Sequence, residues 1–439
     1  MSQHEEEGLM RLLPDDVLAD VLGRAVPRDV ATARRVCRAW RALIDGRGLL
    51  RRDLVPRSLA GLFISYDGLH FPELFHRPSM EFAGPYMLPW SRPRGHCNGV
   101  LLLYDGLLNP AAQWWAPLPE LPPGHFTNDM CLVFDPAVSP HCEVFLFPCS
   151  PHIRDNRRHV ESGALPLLES EWPPSPFMLN VFSTVTGEWR ERSFSREGAS
   201  AGTVADMQKD QRWDGHPSVY WRGALYVYCE DKFVMRISLS NNTYQIIQPP
   251  CEIEMCEFHL GKSEKGVYCA LSDDEGQLRV WILDESRSPI EWVLKHESGR
   301  GMSASRPDLS YFAHQVNGPW ILSYANSRKG DDDIEALAQQ ESEWNSDDED
   351  VLNTEDRDQN HQYIKSFGIL GFHPYKEIIF LHKSVDRGFA YHLNTSKLER
   401  LGNICPIPYC NLDPYCCIQS CFPYTPCKMA ELPSSGSQV

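Results

Sequence analysis

Six cysteines crowd the stretch between positions 405 and 427: Cys405, Cys410, Cys416, Cys417, Cys421 and Cys427. Zinc sites are commonly closed by thiolate pairs two to four residues apart, and Cys417-x-x-x-Cys421 meets that spacing. No second pair of this form partners it, and Pro406, Pro408, Pro414, Pro423 and Pro426 stiffen the chain between. The expectation is therefore buried or idle thiols, with no metal and no cofactor. The sixteen histidines are dispersed, and most read as surface or strand-edge residues. His373, in Phe372-His373-Pro374, is a turn residue before it is a base. The chain has no Gly-x-Ser-x-Gly elbow, no Gly-x-x-x-x-Gly-Lys-Ser/Thr loop and no His-Glu-x-x-His pair, so no catalytic residue is nominated. One modification site stands out. Ser346 is followed by Asp347-Asp348-Glu349, the context acidophilic kinases favour, and a phosphate there would deepen an existing negative field.

That field is local. Residues 331–358 hold thirteen acids and one base, a net of −12, against −17 for all 439 residues. Such a segment carries too little apolar surface to bury itself, and the reading is a solvated insertion spanning 327–363. The acidic balance argues against a nucleic-acid partner. At 42% hydrophobic and 23% charged residues, the composition is that of an ordinary globular chain. No apolar run approaches a bilayer span, and Met1-Ser2-Gln3-His4-Glu5-Glu6-Glu7 is acidic where an export signal is basic. The expected place is the cytoplasm or nucleus, with no membrane partner and all fifteen cysteines as reduced thiols.

The elements that would position any function fall into two textures. Residues 11–50 read as three short helices between a tail at 1–10 and a larger domain at 57–430, with a second tail at 431–439. Asp15 and Asp16 place negative charge at the positive end of a helix that follows Pro14. Val17, Leu18, Val21 and Leu22 then recur at helical period. Pro27 breaks this helix and Asp29 is suited to cap the next. Val30, Ala33, Cys37, Trp40 and Ile44 continue on one face, and Gly46 and Gly48 end the run. Three helices this short cannot hide that much apolar surface among themselves, so the unit is read as a docking device that finishes its core on a partner.

The pattern resembles the F-box family. Leu13-Pro14, the pairs Val17-Leu18 and Val21-Leu22, the corner Arg24-Ala25-Val26-Pro27, and Val36-Cys37-Arg38-Ala39-Trp40 before Leu43-Ile44 follow its framework. The departure is Ala25-Val26, where the family more often has Leu. The resemblance implies a Skp-family adaptor bound to this segment and, through it, the cullin and RING subunits of an SCF-type ubiquitin ligase. It implies Leu13, Pro14, Val17, Leu18, Val21, Val30, Val36, Cys37 and Trp40 as adaptor contacts. Some of these must serve internal packing instead, and sequence does not divide them.

Beyond Pro56 short β-type runs alternate with Gly, Pro, Asn and Asp turns. A seven-residue step recurs across those turns: Leu108 to Trp115, Phe182 to Trp189, Ile237 to Tyr244 and Tyr391 to Leu398. Each reads as a hairpin, and Trp281 to Trp292 as one of looser spacing. Four-strand units are expected at 130–192, 217–248, 256–297 and 367–402. The stretch 96–118 and pieces near 59–66, 311–324 and 418–424 complete one or two more. Trp115 and Trp221 fall inside expected strands and are read as core.

Units of this kind predict an all-β propeller-like domain of six or seven blades behind the helices, with a β-sandwich pair as the competing fold. Phrases such as Cys97-Asn98-Gly99-Val100, Phe134-Asp135-Pro136 and Gly371-Phe372-His373-Pro374 resemble the F-box-associated repeats of plant F-box families. The implied function is a non-catalytic substrate receptor, its loops holding an unknown protein client while a partner enzyme transfers ubiquitin. The alternative is an interaction scaffold outside any ligase.

Overall fold

The computed structural model describes residues 14–24, 33, 36–47, 58–77, 89, 91–123, 130–148, 168–207, 217–229, 232–251, 257–273, 276–287, 289–299, 318–323, 367–383, 387–406, 417–427 and 429. The insertion with Ser346, both tails, Leu13, Val30, Cys410 and Cys416 lie outside the described residues.

Two helices are described before residue 58: α1 (Asp15–Arg24) and α2 (Arg38–Gly46). The carbonyl of Pro14 accepts the amides of Val17 and Leu18, each at 3.0 Å, so Pro14 precedes the helix and Asp15 and Asp16 occupy its first turn. Of the expected middle helix only Ala33 is described, and it is helical and buried. Leu18, Ala19, Leu22, Ala33, Leu43 and Ile44 form one small core, with Trp40 packed against it.

After residue 58 the regular structure among the described residues is β, apart from the helical residue Leu168 and a 3-10 turn at Ala205–Met207. One sheet joins both ends of this region. It holds β1 (Gly61–Tyr66) and β2 (Glu73–His76), with β21 (Ile321–Ser323) on the outer side and β26 (Ile418–Tyr424) on the inner. The second sheet is the meander β3 (Gly95–Cys97), β4 (Val100–Leu102), β5 (Gly106–Asn109) and β6 (Trp114–Pro117). The third holds β7 (Met130–Phe134), β8 (Cys142–Leu146), β10 (Phe177–Ser183) and β11 (Glu188–Arg196). A ribbon of β9 (Glu171–Trp172) and β12 (Gly202–Thr203) flanks it.

The fourth holds β13 (Ser218–Trp221), β14 (Ala224–Cys229), β15 (Phe233–Ser238) and β16 (Thr243–Ile247). Parallel pairing of β11 with β16 at Ser195↔Thr243 and Arg196↔Tyr244 fuses the third and fourth into one eight-stranded sheet. The fifth meander is β17 (Glu257–Ser263), β18 (Gly266–Ser272), β19 (Leu278–Asp284) and β20 (Glu291–Glu297). The sixth is β22 (Phe367–Phe372), β23 (Ile378–Lys383), β24 (Arg387–His392) and β25 (Lys397–Asn403).

The seven-residue step has a geometric origin. Leu108↔Trp115, Phe182↔Trp189, Ile237↔Tyr244 and Tyr391↔Leu398 are direct cross-strand partners. Each lies one pair inside a four-residue loop whose last residue is left-handed: Gln113 (φ 54°), Gly187 (φ 71°), Asn242 (φ 54°) and Ser396 (φ 58°). That residue turns the chain back into register. The β19–β20 loop is longer, so Trp281 and Trp292 are not partners; Trp281 faces Leu294 and Leu283 faces Trp292.

The first strands of the meanders touch in cyclic order: β3 with β7, β7 with β13, β13 with β17, β17 with β22 and β22 with β26. His96 of β3 stacks on Phe422 of β26, ring centroids 4.5 Å apart, which completes the circuit. The chain beyond β26 then runs along the second sheet. Asn109 Nδ2 donates to the carbonyl of Cys427 at 3.1 Å, and Trp114 Nε1 to that of Met429 at 2.9 Å. Strands β7 and β18 are almost wholly apolar and buried at every position, as strands covered on both faces are. Outer strands alternate. Trp115, expected in the core, is therefore 41% exposed on β6, whereas Trp221 is packed, half-buried, beside the core of the fourth and fifth sheets.

A charged cluster ties the fifth sheet to the sixth. Glu377, its side chain only 6% exposed, meets Lys265 Nζ at 3.0 Å and Lys295 Nζ at 3.4 Å, and accepts from Tyr268 Oη at 3.2 Å. Burial alone would raise this carboxyl, but Lys265, Lys295 and Tyr268 outweigh it and hold it below the usual glutamate value. Because the folded value is the lower one, the contribution is present above the unfolded glutamate range and fades as pH falls through the folded value. Glu377→Gln is expected to cost about 1–3 kcal/mol at pH 7. The gap from wild type, read from urea midpoints, should close as pH drops below about 4; a gap independent of pH would refute the ionic account.

Candidate functional site

The residues implied as adaptor contacts divide by packing. Leu18 belongs to the small helical core, and Trp40 is half-buried against it. Val17, Val21 and Val36 point outward at 45%, 55% and 64% exposure, and Pro14 and Cys37 are also exposed. Leu13 and Val30 lie outside the described residues. The pattern Val17-Leu18…Val21-Leu22 thus sends one member of each pair inward and the other out, as a spacing of four residues on a helix requires. Cys37 has a structural part as well. It sits just before α2, its carbonyl accepts the Arg41 amide at 3.1 Å, and its sulfur accepts the Trp40 amide at 3.5 Å. Arg47 at the end of α2 pairs with Asp16 at the start of α1, and both side chains are largely solvated. Such a pair registers two helices without stabilising them much. Burying a valine fully is worth about 1.5–3 kcal/mol, so an outward-facing group of three is an incentive to associate.

The cysteine-rich stretch does not assemble around its spaced pair. Cys417 is exposed just before β26, while Cys421 lies within β26 opposite Ile64. Among the described residues no group of three or more His, Cys, Asp or Glu side chains could hold a metal. Cys405 is disulfide-bonded, which corrects the expectation of reduced thiols throughout. Compartment arguments set an average over a chain's cysteines, whereas a bond depends on two sulfurs the fold brings together. Ten cysteines among the described residues stand outside any disulfide. Burial pushes the thiols of Cys142, Cys269 and Cys421 well up, and that of Cys427 to about 11, opposite to the shift that activates a nucleophile.

Several histidines depart from the surface reading. His76 and His373 are buried, and His96 and His259 are half-buried on inner strands. His373 does sit in a turn: its Nδ1 accepts the Tyr375 amide at 3.1 Å and its ring stacks on Phe380. Polar residues at alternate strand positions look like solvent-facing ones in sequence; only the cyclic packing of inner strands turns them inward.

Two comparisons bear on the chain. Residues 10–57 match the F-box-like family. An F-box protein of Arabidopsis thaliana is 29% identical over 121 residues, 25% of this chain. The match spans 29% of that relative's length. The helical pair with its outward valines is the described part of an F-box-like domain at residues 10–57.

Proposed function

We propose that this protein is the substrate-recognition subunit of an SCF-type ubiquitin ligase of the cytoplasm or nucleus. Its F-box-like domain docks on a Skp-family adaptor and, through it, on cullin and RING subunits. The observation that carries this reading is the exposure of Val17, Val21 and Val36 on a helical scaffold matching the F-box-like family. The contact set is Leu13, Pro14, Val17, Leu18, Val21, Val30, Val36, Cys37 and Trp40, with Leu18 and Trp40 shared with the internal core.

The six four-stranded units, packed in cyclic order, support a six-bladed propeller closed by β26 against β1. Such a scaffold leaves loops clustered on two faces, suited to holding a protein client. Ubiquitin is then transferred by a partner enzyme, and this chain contributes proximity alone.

Co-purification tests the docking. An adaptor should follow the wild-type chain and be lost with Leu13→Ala/Pro14→Ala. Val17→Asp/Val21→Asp is the sharper variant. At exposed positions it should change stability by no more than about 0.5 kcal/mol, while weakening adaptor binding by about 2 kcal/mol or more, roughly thirtyfold. Equal adaptor recovery with the aspartate variant, or none with wild type, would leave an interaction scaffold outside a ligase.

A further inference from the structure

The face of the sixth sheet that packs toward the fifth ends in a cluster of cations. Lys383, the last residue of β23, stands directly across from Arg387, the first of β24. Arg400 of β25 is the cross-strand partner of Phe389, two residues further along β24, and a bulge between Gly388 and Phe389 absorbs the odd residue. Direct partners hold their Cβ atoms about 5 Å apart and diagonal neighbours about 7–8 Å, so three long side chains here can reach one group. Two phenylalanine rings floor the cluster. Phe389 meets Phe367 edge-on at 5.6 Å, and Lys383 Nζ lies 5.8 Å from the Phe367 centroid. Both rings belong to the core shared by the fifth and sixth sheets.

The two arginines are not neutralised. Both are half-buried, and neither guanidinium makes an ion pair or hydrogen bond among the described residues. Nε of Arg400 is sealed from solvent with no partner. Burial first, and then Arg387, draws Lys383 and Arg400 below their ordinary values, as crowded cations with no acid between them do. Glu399 sits opposite Ala390, on the side that packs against the first sheet, and meets His392 there at 3.4 Å. Asp386 lies outside the described residues. Tyr268, Ala270, Leu278 and Val280, which the fifth sheet sets in the shared core, bring no charge. Desolvated guanidinium groups without a countercharge are costly to keep, and an anion relieves that cost.

The chain carries such an anion close by. Residues 331–358 have a net charge of −12, and the chain that follows them enters β22 at Phe367, the residue beneath Lys383. Asp358 precedes Phe367 by nine positions, a reach of about 30 Å for extended chain. We propose that the acidic segment 331–358 docks in cis on Arg387 and Arg400, beside Lys383, at the rim between the fifth and sixth sheets. Its carboxylates pair with the two guanidinium forks. The tether supplies them at an effective concentration of about millimolar order, so another acidic protein reaches this surface only by competition. The contact is independent of adaptor docking and stands or falls without it.

A fluorescein-labelled peptide of residues 331–358, followed by anisotropy, tests the proposal. It should bind the chain lacking 331–358, and bind the full chain about tenfold more weakly or worse, because the resident segment competes. The shortened chain with Arg387→Gln/Arg400→Gln should lose about tenfold or more, and about 0.5 M sodium chloride should abolish binding. No binding to the shortened chain, or binding undiminished by the arginine changes, overturns the site. Equal binding to the full and shortened chains overturns its occupation in cis and leaves the surface to an acidic partner in trans. Should the shortened chain fail to fold, carbodiimide coupling in the full chain carries the test. Lys383 should be joined to a carboxylate of 331–358, with a yield that falls several-fold in Arg387→Gln/Arg400→Gln; an unchanged yield overturns the proposal.

Discussion

Trp320→Ala is expected to cost about 3–5 kcal/mol, the range for deleting a large buried aromatic. Trp320 is 2% exposed and packs on Phe75 at 5.2 Å and Phe380 at 5.8 Å, from the first and sixth sheets. Its backbone amide donates to the carbonyl of Leu401 at 2.9 Å, and Gly318 and Gly402 bring the two backbones into direct contact. A Cβ on Gly318 would lie 2.1 Å from Leu401 O, so the approach admits no side chain. Trp320 is thus the anchor that sets β21 on the edge of the first sheet, paired with β2 from Leu74↔Ser323 to His76↔Ile321. Urea unfolding should show a midpoint lowered in proportion with little change in slope. Trp320→Phe, which keeps the ring against Phe75, should recover more than half of the loss. Equal losses for the two variants would mean that the indole's contacts are not what the site depends on.

The closing seam gives the second large effect. Gly99 has φ +87°, and a Cβ there would lie 2.5 Å from the Thr425 carbonyl oxygen and 2.6 Å from the Cys427 amide nitrogen. Two penalties combine, a left-handed backbone and a collision with the chain leaving β26. Gly223 separates them, since it has φ +82° but nothing within 4 Å of where its Cβ would be. Gly223→Ala should cost about 1–2 kcal/mol, the backbone term alone. Gly99→Ala should cost distinctly more, about 3 kcal/mol or above once the carbonyl and amide must be displaced. It should also loosen the ties of Asn109 and Trp114 to residues 427 and 429, read as faster amide exchange or proteolysis beyond Tyr424. If the two alanine variants prove equally stable, the seam yields at no cost and closure does not depend on that contact.

Both effects are structural, and neither involves the proposed docking face. The chain therefore separates into positions where change unfolds it and positions where change should only uncouple it. Val17 and Val21 belong to the second group, because solvent covers them in the isolated chain. Lys262 lies between, a cross-strut whose neutral partners hold it in place without neutralising it.

What could be read from sequence alone was local. The seven-residue step made four hairpins legible, and the structure supplied their registers through four-residue turns ending in Gln113, Gly187, Asn242 and Ser396. Helical period likewise placed Leu18 and Leu22 with Val17 and Val21 on one amphipathic element. Tertiary structure decided what periodicity leaves degenerate. It chose which valines face out, because two helices crossing at Ile44 and Leu43 cover only part of a shared stripe. It exposed Trp115, since an outer strand has one uncovered face that its sequence does not declare. It joined β1 to β26, residues more than 350 positions apart, and set Lys262 of β17 against Asn98 and the Tyr220 carbonyl on two other sheets. Contacts closed over such distances depend on how whole sheets pack, and no local pattern of residues encodes them.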